Sequence, residues 1–331
     1  MGQSINHYLD NSHIEYKTDV SMSERTWIHR GPQVPLYILP HNREEMICVL
    51  EYLIGRRVGF LVVGHTSNIY LKNTFRTEAI VCTSKMVTFE DNGCNILCDA
   101  GVNISKLSKY CVERGYSGFE GLVGLPGTVG AAIVNNSSCF DCSVSEILLD
   151  ADVLIVNSSG KCEIKTFTPT DFEFKHRSSN VKRKEKQVYI LRARFAIDKN
   201  MTIECLREKA KYNIEERKRT QEGKAQNLGS VFSGYKPNSL SLASLGAKNI
   251  FRVLRFRIWD HYNRNTDNYL NKRIDYLLKL YGYSDLMKYI SNKNINCFIW
   301  KDDDADKAFE RYQEFMHRYA KCEPMEIEIF E

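Results

Sequence analysis

The segment GLVGLPGTVGAAIVNN, residues 121–136, determines the fold that this sequence predicts. It carries four glycines spaced three residues apart: Gly121, Gly124, Gly127 and Gly130. Glycine permits positive φ and has no Cβ, so a diphosphate group can approach bare main-chain N–H groups beside it. Pro126 ends any helix before it. The residues from Thr128 onward are then expected to begin a helix whose first amides point at an anion.

A second glycine-containing loop, GHTSN at residues 64–68, directly follows the apolar run VGFLVV, which predicts a buried strand. Ser67 and Asn68 add side-chain donors to this loop. Taken singly, each segment is also typical of a tight turn. Neither contains Gly-x-Gly-x-x-Gly, which excludes a Rossmann fingerprint, and the three-residue spacing does not persist as it does in collagen. The pair, in this order and about 55 residues apart, is the more specific signal.

Composition and charge argue against a nucleic-acid-binding or membrane-spanning protein. The chain has 331 residues, 43% hydrophobic and 26% charged, which is typical of a soluble globular protein with room for two or three domains. The net charge of +5 is spread among acids, as in residues 207–224, and no nucleic-acid-binding motif is present, so no nucleic-acid partner is expected. The absence of a long apolar run predicts no membrane partner. Eleven scattered cysteines and an N-terminus without a secretory pattern predict a cytoplasmic protein.

The hydrophobic pattern along the chain is that of an α+β protein. An Asn42 cap followed by an apolar face predicts a helix that ends at Gly55, and residues 102–117 predict another. Short strands are expected within residues 78–101 and again from about residue 146 to 198, and the pattern becomes helical beyond residue 200. The regular strand–helix alternation of a doubly wound sheet is missing.

The two glycine segments resemble those of the MurB family, the flavin-dependent UDP-N-acetylenolpyruvoylglucosamine reductases. VVGHTSNIYL is similar to the family's Gly-Gly-Gly-Ser-Asn-Leu loop. GFEGLVGLPGTVGAAIVNNSSCF is similar to its Gly-Ile-Pro-Gly-Thr-Val-Gly-Gly-Ala segment, with Asn136 at the family's asparagine and Phe140 at its tyrosine. With gaps, the resemblance extends from about residue 25 to the end of the chain.

This resemblance implies a two-part FAD-binding domain of the PCMH/MurB type and a C-terminal MurB-type substrate domain. The expected boundaries are residues 1–90 and 91–200 for the two FAD-binding subdomains, 201–320 for the substrate domain with an insertion at about 236–274, and 321–331 for a terminal strand that returns to the active site. The resemblance assigns FAD binding to these residues: Gly64, His65, Thr66, Ser67, Asn68, Gly124, Pro126, Gly127, Thr128, Gly130, Ala131 and Asn136.

Three later segments carry the catalytic residues that the resemblance implies. In DFEFKHRSS (171–179) Arg177 matches the family's catalytic arginine, and in NLGSVF (227–232) Ser230 matches its proton donor. The terminal EPMEIEIFE is out of phase with the family's Glu-Pro-Glu-Val-Arg. Glu326 is the preferred active-site acid, and Glu323 is the alternative. The implied reaction is NADPH-dependent reduction of an enolpyruvyl ether on a nucleotide sugar, for cell-wall or surface-polysaccharide synthesis.

Departures from the family leave two alternatives open: a paralogue that acts on another sugar nucleotide, or a flavin or nucleotide-sugar binder without turnover. The insertion contains FRVLRFRIW (251–259), which has neither a clean strand alternation nor a clear helical pattern. It is interpreted either as a surface excursion or as a lid over the substrate. Cys139 and Cys142 form an isolated Cys-x-x-Cys without a second pair at zinc spacing, so no metal site is predicted.

Overall fold

The fold is seen in a computed structural model that describes residues 4–157, 160–185, 187–223, 226–238, 249–266 and 268–331. The chain forms two compact units. The first comprises residues 1–67, 73–216 and 331, and the second comprises residues 68–72 and 217–330. The mixture of helices and sheets described below confirms the predicted α+β class. The subdomain boundaries expected at residues 90, 200 and 320 stay predictions.

The α-helices of the described residues are α1 (Ile5–Asn11), α2 (Arg43–Gly55), α3 (Ile104–Glu113), α4 (Val129–Val134), α5 (Val144–Ile147), α6 (Ile203–Thr220), α7 (Ile250–Asn263), α8 (Tyr269–Tyr281) and α9 (Ala305–Tyr319). The strands are β1 (Glu15–Ser21), β2 (Gln33–Leu39), β3 (Phe60–Val63), β4 (Ile69–Leu71), β5 (Ala79–Cys82), β6 (Phe89–Asp91), β7 (Asn95–Asp99), β8 (Ser138–Cys139), β9 (Cys142–Ser143), β10 (Leu148–Val156), β11 (Cys162–Phe167), β12 (Val188–Ala196), β13 (Asn227–Ser230), β14 (Tyr235–Pro237), β15 (Cys297–Ile299), β16 (Ala320–Cys322) and β17 (Glu328–Phe330).

The first unit contains a four-stranded sheet in the order β1-β2-β5-β3. Strand β5 runs parallel to both β2 and β3. Helix α2 begins as predicted, because the Asn42 side chain accepts a hydrogen bond from the Glu45 amide at 2.9 Å. Four of the five residues of its predicted apolar face are buried, Met46, Val49, Leu50 and Leu53, and the fifth, Ile54, is half-buried. The loop at residues 64–68 begins directly after β3, and the sheet fixes the position of that strand.

The first unit also contains a five-stranded antiparallel sheet in the order β11-β10-β12-β7-β6. The long strands β10 and β12 pair from Leu148 opposite Phe195 to Ile155 opposite Val188. Helices α3 and α4 bury Leu107, Cys111 and Ile133 in the core of this sheet. The glycine segment therefore lies against the five-stranded sheet, and buried side chains of α4 form part of the hydrophobic core on that sheet.

The second unit joins short strand pairs to a core of aromatic side chains. Strand β13 pairs with β15, β14 with β16, and the terminal strand β17 runs parallel to β4. The core centres on Phe298 of β15 and on Trp300 just after this strand, whose rings lie 4.9 Å apart, and on Phe309 of α9. Tyr70 of β4 also packs on Trp300, at 5.3 Å between ring centroids. This packing explains why residues 68–72 belong to the second unit.

The segment FRVLRFRIW is helical, contrary to the absence of a clear helical pattern in its sequence. It lies in α7, which packs against α8 through an aromatic cluster. Phe256 lies 5.1 Å and Trp259 lies 5.7 Å from the Tyr276 ring, and Trp259 stacks on Tyr269 at 6.0 Å. The part of the expected insertion at residues 239–248 lies outside the described residues.

Candidate active site

The two glycine loops contact each other in the first unit. A Cβ on Gly64 would overlap the Thr128 side chain, so only glycine lets β3 end this close to the second segment. The Ser67 hydroxyl donates to the Pro126 carbonyl at 3.2 Å. Gly127 has a φ of +132°, and a Cβ there would lie 3.4 Å from Ser67 Oγ. The structure therefore brings together the two motifs that the sequence singled out.

His65 adds a third link between the loops. Burial lowers the pKa of its imidazole, nearby Lys106 lowers it further, and a hydrogen bond to the Gly127 main chain partly opposes both effects. The lowered pKa favours a neutral ring at physiological pH. Thr66, at a positive φ of 55°, accepts from the Trp27 amide and donates to the His65 carbonyl, both at 2.8 Å. Both side chains thus fix the conformation of the loop.

Main-chain amides suited to a phosphate lie in the first loop. Within the described ranges, the amides of His65, Thr66 and Ser67 donate to no acceptor of the protein. Three consecutive N–H groups around a left-handed residue form the kind of concavity that binds anions. In the second segment, the amides of Gly127 and Thr128 are likewise without an acceptor in the described part of the chain.

The expectation that the first amides of the 129–134 helix point at an anion is wrong. The Val129 amide donates to the Val102 carbonyl and the Gly130 amide to the Ala100 carbonyl, both at 2.8 Å. The Ala131 amide donates to the capping hydroxyl of Thr128 at 3.4 Å. All three donors are occupied within the protein, so this helix terminus contributes packing rather than an anion site.

Several residues that the sequence assigned to FAD binding also hold the segment in place. A Cβ on Gly130 would lie 3.1 Å from Ala100 Cβ. This glycine therefore allows α4 to pack closely on Ala100, the residue that follows β7. The exposed Gly124 donates its amide to Ser105 Oγ at 2.7 Å. Asn136, buried at a positive φ of 42°, accepts from the Ser145 amide at 3.2 Å and donates to the Lys175 carbonyl at 3.0 Å. Their FAD-binding roles stay predictions.

Arg177 lies at the tip of a tight turn in the first unit. Lys175 and Ser178 exchange main-chain hydrogen bonds of 2.9 and 3.1 Å, and Arg177 between them has a φ of 55°. The turn is anchored by buried Ser179, whose hydroxyl donates to the Val134 carbonyl at 2.6 Å. Lys182 extends the anchor, since its ammonium donates to Asn135 Oδ1 at 2.7 Å and to the Arg177 carbonyl at 3.3 Å. The structure thus fixes the Arg177 turn to the end of the glycine segment.

Ser230 is the last residue of β13 in the second unit, where it pairs with Cys297 of β15. Gly229 before it has a φ of +76°, which glycine adopts without strain. Buried Asn296 holds the residues that follow, because its side chain accepts from the Phe232 amide at 3.0 Å and donates to the Phe232 carbonyl at 2.8 Å. The sequence did not single out Asn296 as a positioning residue.

Glu326 and Glu323 differ in their surroundings. The Glu326 amide donates to the Val231 carbonyl at 2.8 Å, next to Ser230 in the chain. Its carbonyl accepts from the Asn68 side chain at 3.0 Å. Glu323 is exposed, and its carboxylate accepts from the Ser233 hydroxyl at 3.4 Å. Glu326 is thus held beside the Ser230 strand and by the last residue of the first glycine loop.

The Cys-x-x-Cys is part of a hairpin. Cys139 and Cys142 pair across the turn between β8 and β9. Cys142 Sγ accepts from the Gly121 amide at 3.2 Å, and burial raises the pKa of this thiol to about 11. In the part of the chain that the structure describes, no group of histidine, cysteine or acidic side chains is placed to hold a metal ion. The packing around Cys142 therefore favours its protonated thiol.

Comparison with known proteins finds a matching domain family, similar named enzymes and a solved structure of similar fold. Residues 34–162 match the FAD binding domain family. UDP-N-acetylenolpyruvoylglucosamine reductase from Caldicellulosiruptor bescii is 30% identical over 190 residues, 57% of this chain and 59% of the relative. The enzyme of that name from Carboxydothermus hydrogenoformans is 32% identical over 208 residues, 62% of this chain and 66% of the relative. The structure of MurB from Thermus caldophilus aligns with a TM-score of 0.64 and 17% identity, covering 96% of this chain and 99% of that one.

The matched domain contains both interlocked glycine loops, so the fold and these loops define a flavoprotein with an FAD-binding domain of the PCMH/MurB type. The low identities show how far the sequence has diverged. The chain is a flavin-dependent oxidoreductase similar to the UDP-N-acetylenolpyruvoylglucosamine reductase (MurB) family, from which its sequence has diverged.

The Gly64 contact leads to a prediction for cofactor binding. Gly64→Ala is expected to weaken FAD binding by about tenfold or more and to destabilise the fold by roughly 1–3 kcal/mol, since the added methyl overlaps Thr128 and must separate the loops. Fluorescence titration of the apoprotein with FAD and thermal unfolding measure the two effects. Gly55→Ala is the control, because a Cβ there meets nothing within 4 Å. An unchanged FAD affinity in Gly64→Ala would show that close loop contact is not required.

Proposed function

We propose that this protein reduces an enolpyruvyl ether on a nucleotide sugar with FAD and NADPH, forming UDP-N-acetylmuramate or a close variant. The observation that carries the proposal is the interlocking of the two glycine loops through Gly64, Thr128, Ser67 and Pro126. The similarity to named reductases supports the substrate class. The eleven free cysteines support a cytoplasmic location.

The residues of the first unit fit FAD. The unoccupied amides at residues 65–67 would bind the negatively charged pyrophosphate, and Gly64 lets the loop that carries them pack closely on Thr128. His65 and Thr66 would keep the loop in the binding conformation through the hydrogen bonds described above. Bound FAD, once reduced by NADPH, supplies the hydride for the reaction.

Arg177 would bind the substrate carboxylate. Reduction of the enol ether adds hydride to the terminal carbon of the C=C bond and leaves negative charge on the α-carbon and the carboxylate. A planar guanidinium donates two parallel hydrogen bonds to a carboxylate and stabilises this charge. The anchored turn suits such a role, because Ser179 and Lys182 restrict the main chain that carries Arg177.

Ser230 would complete the reduction by giving its hydroxyl proton to the α-carbon. A serine hydroxyl is a weak acid, so it must be held firmly and assisted by a neighbouring group. The β13–β15 pairing and Asn296 restrict the strand that carries Ser230. Glu326, whose main chain bonds to Val231, is the proposed assisting acid.

Two alternatives rest on departures from the family. A paralogue that reduces another sugar nucleotide would be consistent with the insertion that contains α7, which would then determine the substrate. A binder without turnover would be consistent with the shifted terminal glutamate.

A two-step titration of the full-length protein separates these possibilities. NADPH is added without oxygen to the FAD-loaded protein, and the flavin absorbance is followed. UDP-N-acetylglucosamine enolpyruvate and other unsaturated sugar nucleotides are then added in turn. Bleaching followed by recovery with the first compound is the expected result. Recovery only with another compound would identify a paralogue, and no recovery with any compound would favour a binder.

A further inference from the structure

Helix α7 has an apolar stripe on the side that faces away from α8. Its members are among the most exposed hydrophobic side chains of the described residues: Phe251 (85%), Leu254 (49%), Ile258 (61%) and Tyr262 (79%). With about 100° of rotation per residue, these four positions lie within a sector of about 80°. The spacing of three, four and four residues is that of a continuous helical face.

The stripe is distinct from the face that packs inside the unit. Val253 and Phe256 are each 2% exposed, and Phe256 contacts the Tyr276 ring of α8. These residues point to the opposite side of the helix from Phe251 and Ile258. Helix α7 is therefore apolar on two faces, and only one of them is needed for the fold.

Positive charge borders the stripe. Arg252, Arg255 and Arg257 are exposed. The single acidic residue of α7, Asp260, accepts hydrogen bonds from the Tyr269 hydroxyl at 2.6 Å and from Arg273 Nε at 3.1 Å, on the α8 side. The outward face thus combines apolar side chains with arginines and has no acid of its own.

We propose that this stripe, Phe251 to Tyr262, binds the surface of a membrane that contains anionic lipids. An interfacial helix buries an apolar face among the acyl chains while its basic residues contact the headgroups. The absence of a long apolar run, from which the sequence predicted no membrane partner, excludes only a spanning helix. No helix of the described ranges has the length and apolar character to cross a bilayer.

Self-association through the stripe is less favoured by area and by charge. Two aromatic and two aliphatic side chains offer about 500 Å², whereas a stable protein interface buries about 800 Å² on each partner. A symmetric pair of α7 helices would also place the arginines of two copies near one another. An anionic lipid surface does not need a protein interface of that area, and it attracts the arginines.

The experiment uses the full-length, FAD-loaded protein and sedimentation with vesicles. Binding is expected to vesicles of equal parts phosphatidylcholine and phosphatidylglycerol, weaker binding in high salt, and little binding to phosphatidylcholine alone. Phe251→Ser with Ile258→Ser is expected to reduce partitioning by about tenfold or more. Arg252→Gln with Arg255→Gln is expected to reduce it by about 30-fold.

Helix α6 supplies matched controls in the first unit. Tyr212→Ser removes another exposed aromatic side chain (65%), and Arg207→Gln with Lys211→Gln removes two exposed cations; both should bind vesicles like the wild type. Flavin content and thermal unfolding verify that every variant is folded. If the Phe251→Ser and Ile258→Ser substitutions disturb the fold of α7, the variant with Arg252→Gln and Arg255→Gln still tests membrane binding by this helix.

Three results would overturn the proposal. The first is no binding to phosphatidylglycerol vesicles. The second is equal binding by the wild type and by both α7 variants. The third is a concentration-dependent dimer, abolished by the Phe251 and Ile258 substitutions, without vesicle binding; this would assign the stripe to a second copy of the chain. Because catalysis is not measured, the result does not depend on the proposed function.

Discussion

Ser230→Ala is expected to leave reduction of the flavin by the proposed donor NADPH near the wild-type rate and to slow reoxidation by the proposed enolpyruvyl substrate by about 10²–10⁴-fold. The proposed role of Ser230 is to give a proton to the substrate, which NADPH oxidation does not require. Stopped-flow absorbance measures the two half-reactions separately. A loss confined to the second one would distinguish proton donation from a structural role.

Ser233→Ala is the matched control for this prediction. Ser233 lies three residues further along and donates to the Pro324 carbonyl at 3.1 Å, so its removal tests whether any serine of this segment affects the rate through the local fold. We expect both half-reactions of Ser233→Ala to stay within a few-fold of the wild type. Equal losses in both half-reactions of Ser230→Ala would instead assign Ser230 to the packing of β13.

Local patterns were sufficient to predict the elements that carry the flavin loops. The cap and apolar spacing of α2 depend on neighbours within one or two helical turns, so they are readable from the sequence. The same holds for the strand before Gly64 and for the glycine stop after α3, where Gly115 has a φ of +78°. The expectation that this strand is buried was wrong except at Val63, because β3 lies at the edge of its sheet. The family resemblance then supplied the order of the two loops, which local pattern alone does not interpret.

Long-range hydrogen bonds account for the wrong expectation about α4. Its first amides donate to the carbonyls of Ala100 and Val102, nearly thirty residues earlier in the chain. A helix N-terminus is a good anion site only when tertiary contacts leave its donors available, and no periodicity reveals this. The unoccupied amides lie instead in the first loop and at Gly127 and Thr128.

The helical structure of α7 was not predicted from the sequence, for a different physical reason. An amphipathic helix is recognised because one face is polar, but α7 has apolar residues on both its packed face and its exposed face. The arginines between them interrupt the pattern further. Asn296 was also missed, because an asparagine that satisfies main-chain groups of a distant strand resembles a loop asparagine in the sequence.

Glu326→Gln is expected to slow substrate-dependent reoxidation by about 10²-fold or more, whereas Glu323→Gln is expected to stay close to the wild-type rate. Both substitutions keep size and hydrogen-bonding capacity while removing the acid. The different expectations follow from the contacts of the two residues. The main chain of Glu326 is bonded to Val231 and to the Asn68 side chain, while exposed Glu323 meets Ser233.

Comparison of Glu326→Gln with Glu323→Gln also tests how the terminal segment EPMEIEIFE aligns with the family's Glu-Pro-Glu-Val-Arg. Alignment on Glu-Pro puts Met325 at the catalytic position, whereas a shift of one residue puts Glu326 there. The isolated bridge between Phe232 and Met325 and the Glu326–Val231 hydrogen bond place both Met325 and Glu326 beside the residues that follow Ser230, so only chemistry separates these two positions. A Glu326→Gln variant with full activity would remove the acid from the mechanism, and a larger loss in Glu323→Gln would move its role to that residue. A loss specific to Glu326→Gln, with FAD affinity unchanged, would show that divergence shifted the segment by one residue while keeping its carboxylate.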